Sequence, residues 1–173
     1  MKQAKHYVDS KKLVDRTKLY DSNEALDPEA VRQKLKDGTD VRILLGQLTP
    51  GMLEGISLAV LSPGVPTDLA EVRQIRDAGI PIWGEVELAY QMSRGRGLAV
   101  TGTNGKTTTT AMLGKIMADY LPQVYVVGNI GTPSTSVALE TTDDSVTVAE
   151  ISSFQLETIQ EFCPEVSAIL NIT

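Results

Sequence analysis

The run Thr101-Gly102-Thr103-Asn104-Gly105-Lys106-Thr107-Thr108 carries the clearest chemical signal in the chain. Gly102 and Gly105 have no Cβ, so the backbone there can adopt positive φ and approach an anion closely. Lys106 supplies a mobile cation, and Thr107 a hydroxyl of the kind that ligates Mg²⁺ beside bound phosphates. The apolar stretch 98–101 ahead of the loop reads as a buried strand. The residues behind it read as a helix, whose first free N–H groups and dipole favour a phosphate. Strand, glycine loop and helix start, in that order, make a phosphate-binding loop. The spacing is unusual: the general pattern has a glycine five residues before the glycine of the Gly-Lys pair, where this chain has Val100. An ordinary strand-to-helix turn is the competing reading, and the order of elements favours the phosphate loop.

Other polar residues fall where predicted strands end. Glu150 closes the apolar run Val146-Thr147-Val148-Ala149, and the turn Gly128-Asn129-Ile130-Gly131 follows a predicted strand over 123–127. In a parallel sheet such ends share one edge, where ligands gather. Mg²⁺ takes oxygen ligands and is often held by one or two carboxylates plus substrate phosphates, so Glu150 near Thr107 suits that role. Asn129 can donate and accept hydrogen bonds to a substrate, as can Ser152, Ser153 and Gln155, although either serine could instead cap a helix. Ser62-Pro63-Gly64, after the apolar run 57–61, reads as an amide-exposing turn at another strand end. His6 is the single histidine, so no serine–histidine–acid set is available, and no cysteine or histidine spacing suits a metal. The lone Cys163 reads as a small packing residue. Phosphate chemistry is the one reaction class these residues support.

The positioning elements alternate along the 173 residues. Strands are expected at 17–21, 41–45, 57–61, 80–83, 98–101, 123–127, 146–149 and 166–172. Helices are expected from Pro28 to Gly38, from Thr67 or Asp68 to Gly79, from Gly84, over 106–120, over 134–140 and near 152–157. In the helix over 106–120, Met112, Leu113, Ile116 and Met117 recur at helical spacing. Such alternation means α/β with mostly parallel sheets. The segment 93–97, rich in glycine and charge, reads as a linker between domains 1–94 and 95–173. A net charge of −6 with no basic block argues against nucleic acid, and no apolar run reaches membrane-span length. The lone cysteine and the lack of a signal-type start point to the cytoplasm.

Four stretches in order carry a resemblance to a known family: the loop at 101–108, Gly128-Asn129-Ile130-Gly131-Thr132-Pro133, Glu150-Ile151-Ser152-Ser153-Phe154-Gln155-Leu156-Glu157, and Ile169-Leu170-Asn171-Ile172-Thr173. Together they resemble the Mur ligases over about residues 17–173. The resemblance implies a Rossmann-like N-terminal domain followed by part of a P-loop-type ATP-binding domain. The Ser-Ser-Phe-Gln-Leu-Glu run and the Ser62-Pro63-Gly64 turn are similar to those of the member that adds D-glutamate to UDP-N-acetylmuramoyl-L-alanine.

By that resemblance, ATP phosphorylates a substrate carboxylate and the amine of D-glutamate attacks the acyl phosphate. Gly102, Thr103, Asn104, Gly105, Lys106, Thr107 and Thr108 would hold ATP, with Lys106 stabilising charge on the transferred group. Thr107 and Glu150 would face Mg²⁺. Asn129, Ser152 and Gln155 would contact the muramoyl-alanine part of the substrate, and Asp21, Ser22, Ser62 and Gly64 its uridine diphosphate end. The glycine turn that opens the family's first domain has no counterpart in 1–16, so that domain is expected to lack its first β-α unit. The family's adenine and D-glutamate contacts are expected beyond residue 173, in a parent expected to be a monomer. Another amino-acid-adding ligase of the family, or a non-catalytic nucleotide-binding remnant, are the alternatives.

Overall fold

The computed structural model describes residues 47–129 and 131–172. The elements expected between residues 17 and 45, and with them Asp21 and Ser22, lie outside the described residues. The chain divides into two compact units, Met1–Met52 and Leu53–Thr173. From the first, one 3-10 turn is described, Pro50–Met52, closed by the Met52 N–H donating to Thr49 O at 2.9 Å.

The second unit begins with β1 (Ala59–Leu61), α1 (Ala70–Asp77) and β2 (Ile82–Gly84). β1 and β2 pair in parallel across a right-sized crossover helix. Next come α2 (Glu85–Met92), β3 (Arg96–Thr101), α3 (Lys106–Tyr120) and β4 (Val124–Gly128). The described residues end with α4 (Thr135–Ala138), β5 (Val146–Glu150), α5 (Ser153–Leu156) and β6 (Val166–Ile169). β3 to β6 form an all-parallel sheet in the order β4-β5-β3-β6.

Both faces of that sheet are covered, which explains its near-continuous apolar strands. Side chains alternate between faces, so Leu98, Val146 and Val148 meet Leu113, Met117 and Leu121 of α3 and its end. Ala99, Val127, Ala149 and Ile151 meet Val86 of α2, with Val137 and Phe162 beside them. At Gly114 of α3 a Cβ would strike the Val126 side chain on β4, so this glycine allows the helix to lie close to the sheet.

Several boundaries and faces differ from the sequence expectation, each for a physical reason. The expected linker 93–97 is shorter, because β3 already starts at Arg96. The Arg96 N–H donates to Ser145 O at 2.9 Å, and ladder pairing needs backbone rather than apolar side chains. Only Leu113 and Met117 of the expected α3 stripe pack on the sheet, whereas Met112 and Ile116 are exposed. β6 stops at Ile169, and the residues after it turn to the phosphate loop. Cys163 is exposed rather than packed.

Candidate active site

The loop after β3 has the geometry expected for a phosphate cradle. Gly102 has φ +135° and Gly105 φ +83°, and α3 begins at the next residue, Lys106. A Cβ at Gly102 would lie 3.1 Å from both the N and O atoms of Asn171, so the glycine permits close contact with the segment that follows β6. That contact is extensive. The Thr103 N–H donates to Asn171 O at 3.1 Å, the Asn104 N–H to Asn171 Oδ1 at 2.8 Å, and Asn171 Nδ2 donates back to Asn104 O at 3.0 Å. Lys106 Nζ donates to Gly102 O at 2.7 Å and Thr103 O at 3.2 Å. The cation therefore lies over the loop it belongs to.

Glu150 ends β5, the strand that pairs with β3, and stands opposite Val100 in the register. It is 2% exposed. Its Oε1 accepts from Asn129 Nδ2 at 3.3 Å, while its Oε2 is buried without a hydrogen-bond partner. Asn129 is held from the other side too, since its backbone N–H donates to Glu150 O at 3.0 Å. Gly128, at φ +96°, lets the turn pass so close that a Cβ would strike the Glu150 carbonyl. Three strand ends thus present the glycine-lysine loop, Glu150 and Asn129 along one edge.

An orphaned carboxylate oxygen in a buried setting costs free energy unless a cation or donor meets it. That atom is the structural test of a divalent cation here, and the donor set fits: one carboxylate, the Thr107 hydroxyl on the first turn of α3, and phosphate oxygens. No group of three or more histidine, cysteine or acidic side chains stands ready for a metal among the described residues.

A second cleft gathers Ser62, Pro63 and Gly64 after β1 with Glu85, Phe154, Gln155 and Thr158. Residues some ninety positions apart in sequence meet there. Ser152 and Gln155 are also bonded to each other. Ser152 Oγ accepts from the Gln155 N–H at 3.3 Å, and Gln155 Oε1 accepts from the Ser152 N–H at 2.8 Å. This reciprocal capping box starts α5 and leaves the Gln155 amide nitrogen for other work.

Three positioning residues escaped the sequence reading. Glu85 Oε1 accepts from Thr135 N–H at 2.6 Å and Oγ1 at 2.9 Å, capping α4 from another element. Glu87, fully buried, accepts from the N–H groups of Gln160, Glu161 and Phe162 at 2.8–3.2 Å and from Gln91 Nε2 at 2.8 Å. Burial pushes the Glu87 carboxyl up, but the donors from Gln160, Gln91, Glu161 and Phe162 outweigh it and hold its pKa below the ordinary 4.5. Asn171 is the third.

The parallel sheet carries the glycine-lysine loop at the end of an inner strand, and residues 100–173 match the Mur ligase middle domain. The chain is 56% identical over 155 residues to the UDP-N-acetylmuramoylalanine–D-glutamate ligase of Lachnospira eligens, covering 90% of this chain and 34% of that protein. It is 55% identical over 157 residues to the same-named protein of Lachnoclostridium phytofermentans, covering 91% and 35%. With that of Clostridioides difficile it shares 46% over 144 residues, covering 83% and 32%. The chain spans about a third of the length of the curated relatives it matches.

Proposed function

We propose that this chain is part of an ATP-dependent ligase that joins D-glutamate to UDP-N-acetylmuramoyl-L-alanine in peptidoglycan synthesis. The observation that carries the reading is the pairing of a glycine-lysine loop with a buried, half-partnered carboxylate at the end of the adjacent strand. The names of the relatives support the amino acid and the nucleotide. In this reading the residue 94/95 boundary separates roles rather than packing units. The earlier part receives the nucleotide end of the substrate through Ser62 and Gly64, together with Asp21 and Ser22, and the later part receives ATP. A cytoplasmic, monomeric parent completes the proposal. Among the described residues no helix is long and apolar enough to cross a membrane.

The chemistry assigned to each residue follows from its setting. The amides of residues 102–108 bind the ATP phosphates, and the start of α3 adds its dipole. Lys106 leaves the carbonyls of Gly102 and Thr103 to neutralise charge on the phosphoryl group as it moves to the substrate carboxylate. Thr107 and Glu150 would hold Mg²⁺, which would supply charge to offset that of the phosphate oxygens. Asn129, kept in place by Glu150, orients the muramoyl-alanine carboxylate for attack, and Gln155 and Ser152 border the same substrate. The amine of D-glutamate then displaces phosphate from the acyl phosphate to form the amide.

The test is product formation by the complete gene product. ADP and phosphate should appear only when UDP-N-acetylmuramoyl-L-alanine and D-glutamate are both present. Preference for another amino acid or for a longer precursor would overturn the assignment within the family.

A further inference from the structure

A second cavity, of about 80 Å³, lies at the opposite end of the sheet from the phosphate loop. It opens between α2, the start of β3 and the segment before β6. Its walls are apolar, with Ala89 and Tyr90 from α2, Leu98 from β3, Ala149 from β5, and Phe162 and Pro164. Tyr90 and Phe162 meet edge to face, with ring centroids 5.5 Å apart and planes at 81°.

Two polar features set it apart from a packing gap. Ser134 lines the cavity, is 7% exposed, and its hydroxyl is buried without a hydrogen-bond partner. Buried hydroxyls are normally satisfied, so an unpaired one on a cavity wall marks a place where a ligand atom belongs. Arg94 and Arg96 also line the cavity, with exposed side chains. Among the described residues the one ion pair is Lys115–Asp119, so neither guanidinium is matched by a carboxylate. In a chain with net charge −6, two unmatched arginines at the mouth of an aromatic cavity are a local reversal of sign.

We propose that this cavity is a binding site for a compact aromatic carboxylate. The ring enters between Tyr90, Phe162 and Ala149, where edge-to-face contact with the aromatic pair is available. The carboxylate stays at the mouth, where a guanidinium can take it with two parallel N–H···O bonds. The Ser134 hydroxyl serves a polar atom at the inner end. Nothing in this site is shared with the phosphate loop, so it stands whether or not the ligase reading does.

The test is a titration of the full 173-residue chain with 3-(4-hydroxyphenyl)propionate, followed by amide chemical shifts, with 3-(4-hydroxyphenyl)propanamide as the uncharged control. Saturable binding is expected at about 1 mM or tighter for a ligand of this size. The shifts should centre on Tyr90, Leu98, Ser134 and Phe162. The amide should bind at least about tenfold more weakly, the loss of one good charge-assisted contact. The double variant Arg94→Ala/Arg96→Ala should lose the difference between acid and amide. Equal affinity for acid and amide would overturn the proposal, as would no saturation by about 10 mM or shifts centred on residues 102–108. Should the double variant fail to fold, the comparison of acid with amide on the unchanged chain decides alone.

Discussion

Glu150 and Lys106 differ in how fully their polar atoms are partnered. One Glu150 oxygen is held by Asn129 and the other is buried with no partner, while Lys106 Nζ occupies carbonyls of its own loop. Removing the Glu150 charge should therefore relieve the folded chain even as it damages the site. Glu150→Gln is expected to melt at the same temperature as the parent or a few degrees higher, a gain of about 1 kcal/mol at most. The same variant should lose about tenfold or more in Mg²⁺-dependent ATP affinity. A structural role alone would show the reverse, a clear loss of stability with binding unchanged. Thermal melts with and without ATP and Mg²⁺ separate the two.

Asn171 makes a different prediction at the same scale. Its side chain both accepts from and donates to Asn104, so Asn171→Ala frees one side of the cradle. Hydrogen exchange at Thr103 and Asn104 should speed up, with little change across β3 and β5. Equal protection in the variant would show that the loop holds its shape without this clasp.

Among the elements, α2 is the one whose importance composition hides. Glu85 fastens it to α4, and Glu87 fastens it to the segment before β6, so a helix of eight residues ties three parts of the unit together. Glu87→Ala leaves three backbone N–H groups without their acceptor and should cost about 3 kcal/mol or more. Because the folded pKa of Glu87 lies below 4.5, its contribution is complete above that value and is lost as pH falls through the lower folded pKa. The parent's melting temperature should drop more steeply below pH 4.5 than that of Glu87→Gln. Parallel curves for the two proteins would contradict this role. On α3, Gly114→Val should destabilise by about 2 kcal/mol through its clash with Val126; an unchanged denaturant midpoint would show that the helix can move away.

These same elements show what residue order reveals and what it conceals. The bounds of α3 follow directly from the glycine loop before it and the apolar repeat within it, and the structure has them at Lys106–Tyr120. Its buried face is narrower than the repeat suggests, since Leu113 and Met117 already span the strands available and Met112 and Ile116 turn outward. The start of β3 at Arg96 was hidden because a strand beginning in Arg-Gly pairs through backbone atoms alone. β6 was read too long because Leu170-Asn171-Ile172 looks like strand, while the backbone there serves the phosphate loop. Glu85 and Glu87 were given no role from the sequence, and only the folded chain shows the amides that meet them.

At the scale of the whole molecule, the parallel order β4-β5-β3-β6 places the phosphate loop on an inner strand, with Glu150 on its neighbour. Chemistry-bearing residues from three strands then converge because parallel strands end together, and no long reach by any side chain is needed. That convergence is why Glu150 and Asn129 could be placed along one edge from strand ends alone. Residues 53–173 form one unit, so the cleft joining Ser62 and Gly64 to Gln155 is part of the same packed body. The relatives are about three times as long as the stretch they share with this chain.

Calorimetric titration of ATP into the full chain, with and without Mg²⁺, tests the central claim most directly. The account predicts binding that strengthens at least about tenfold when Mg²⁺ is present and is lost in Lys106→Ala. Binding indifferent to Mg²⁺, or undisturbed by the loss of Lys106, would contradict it.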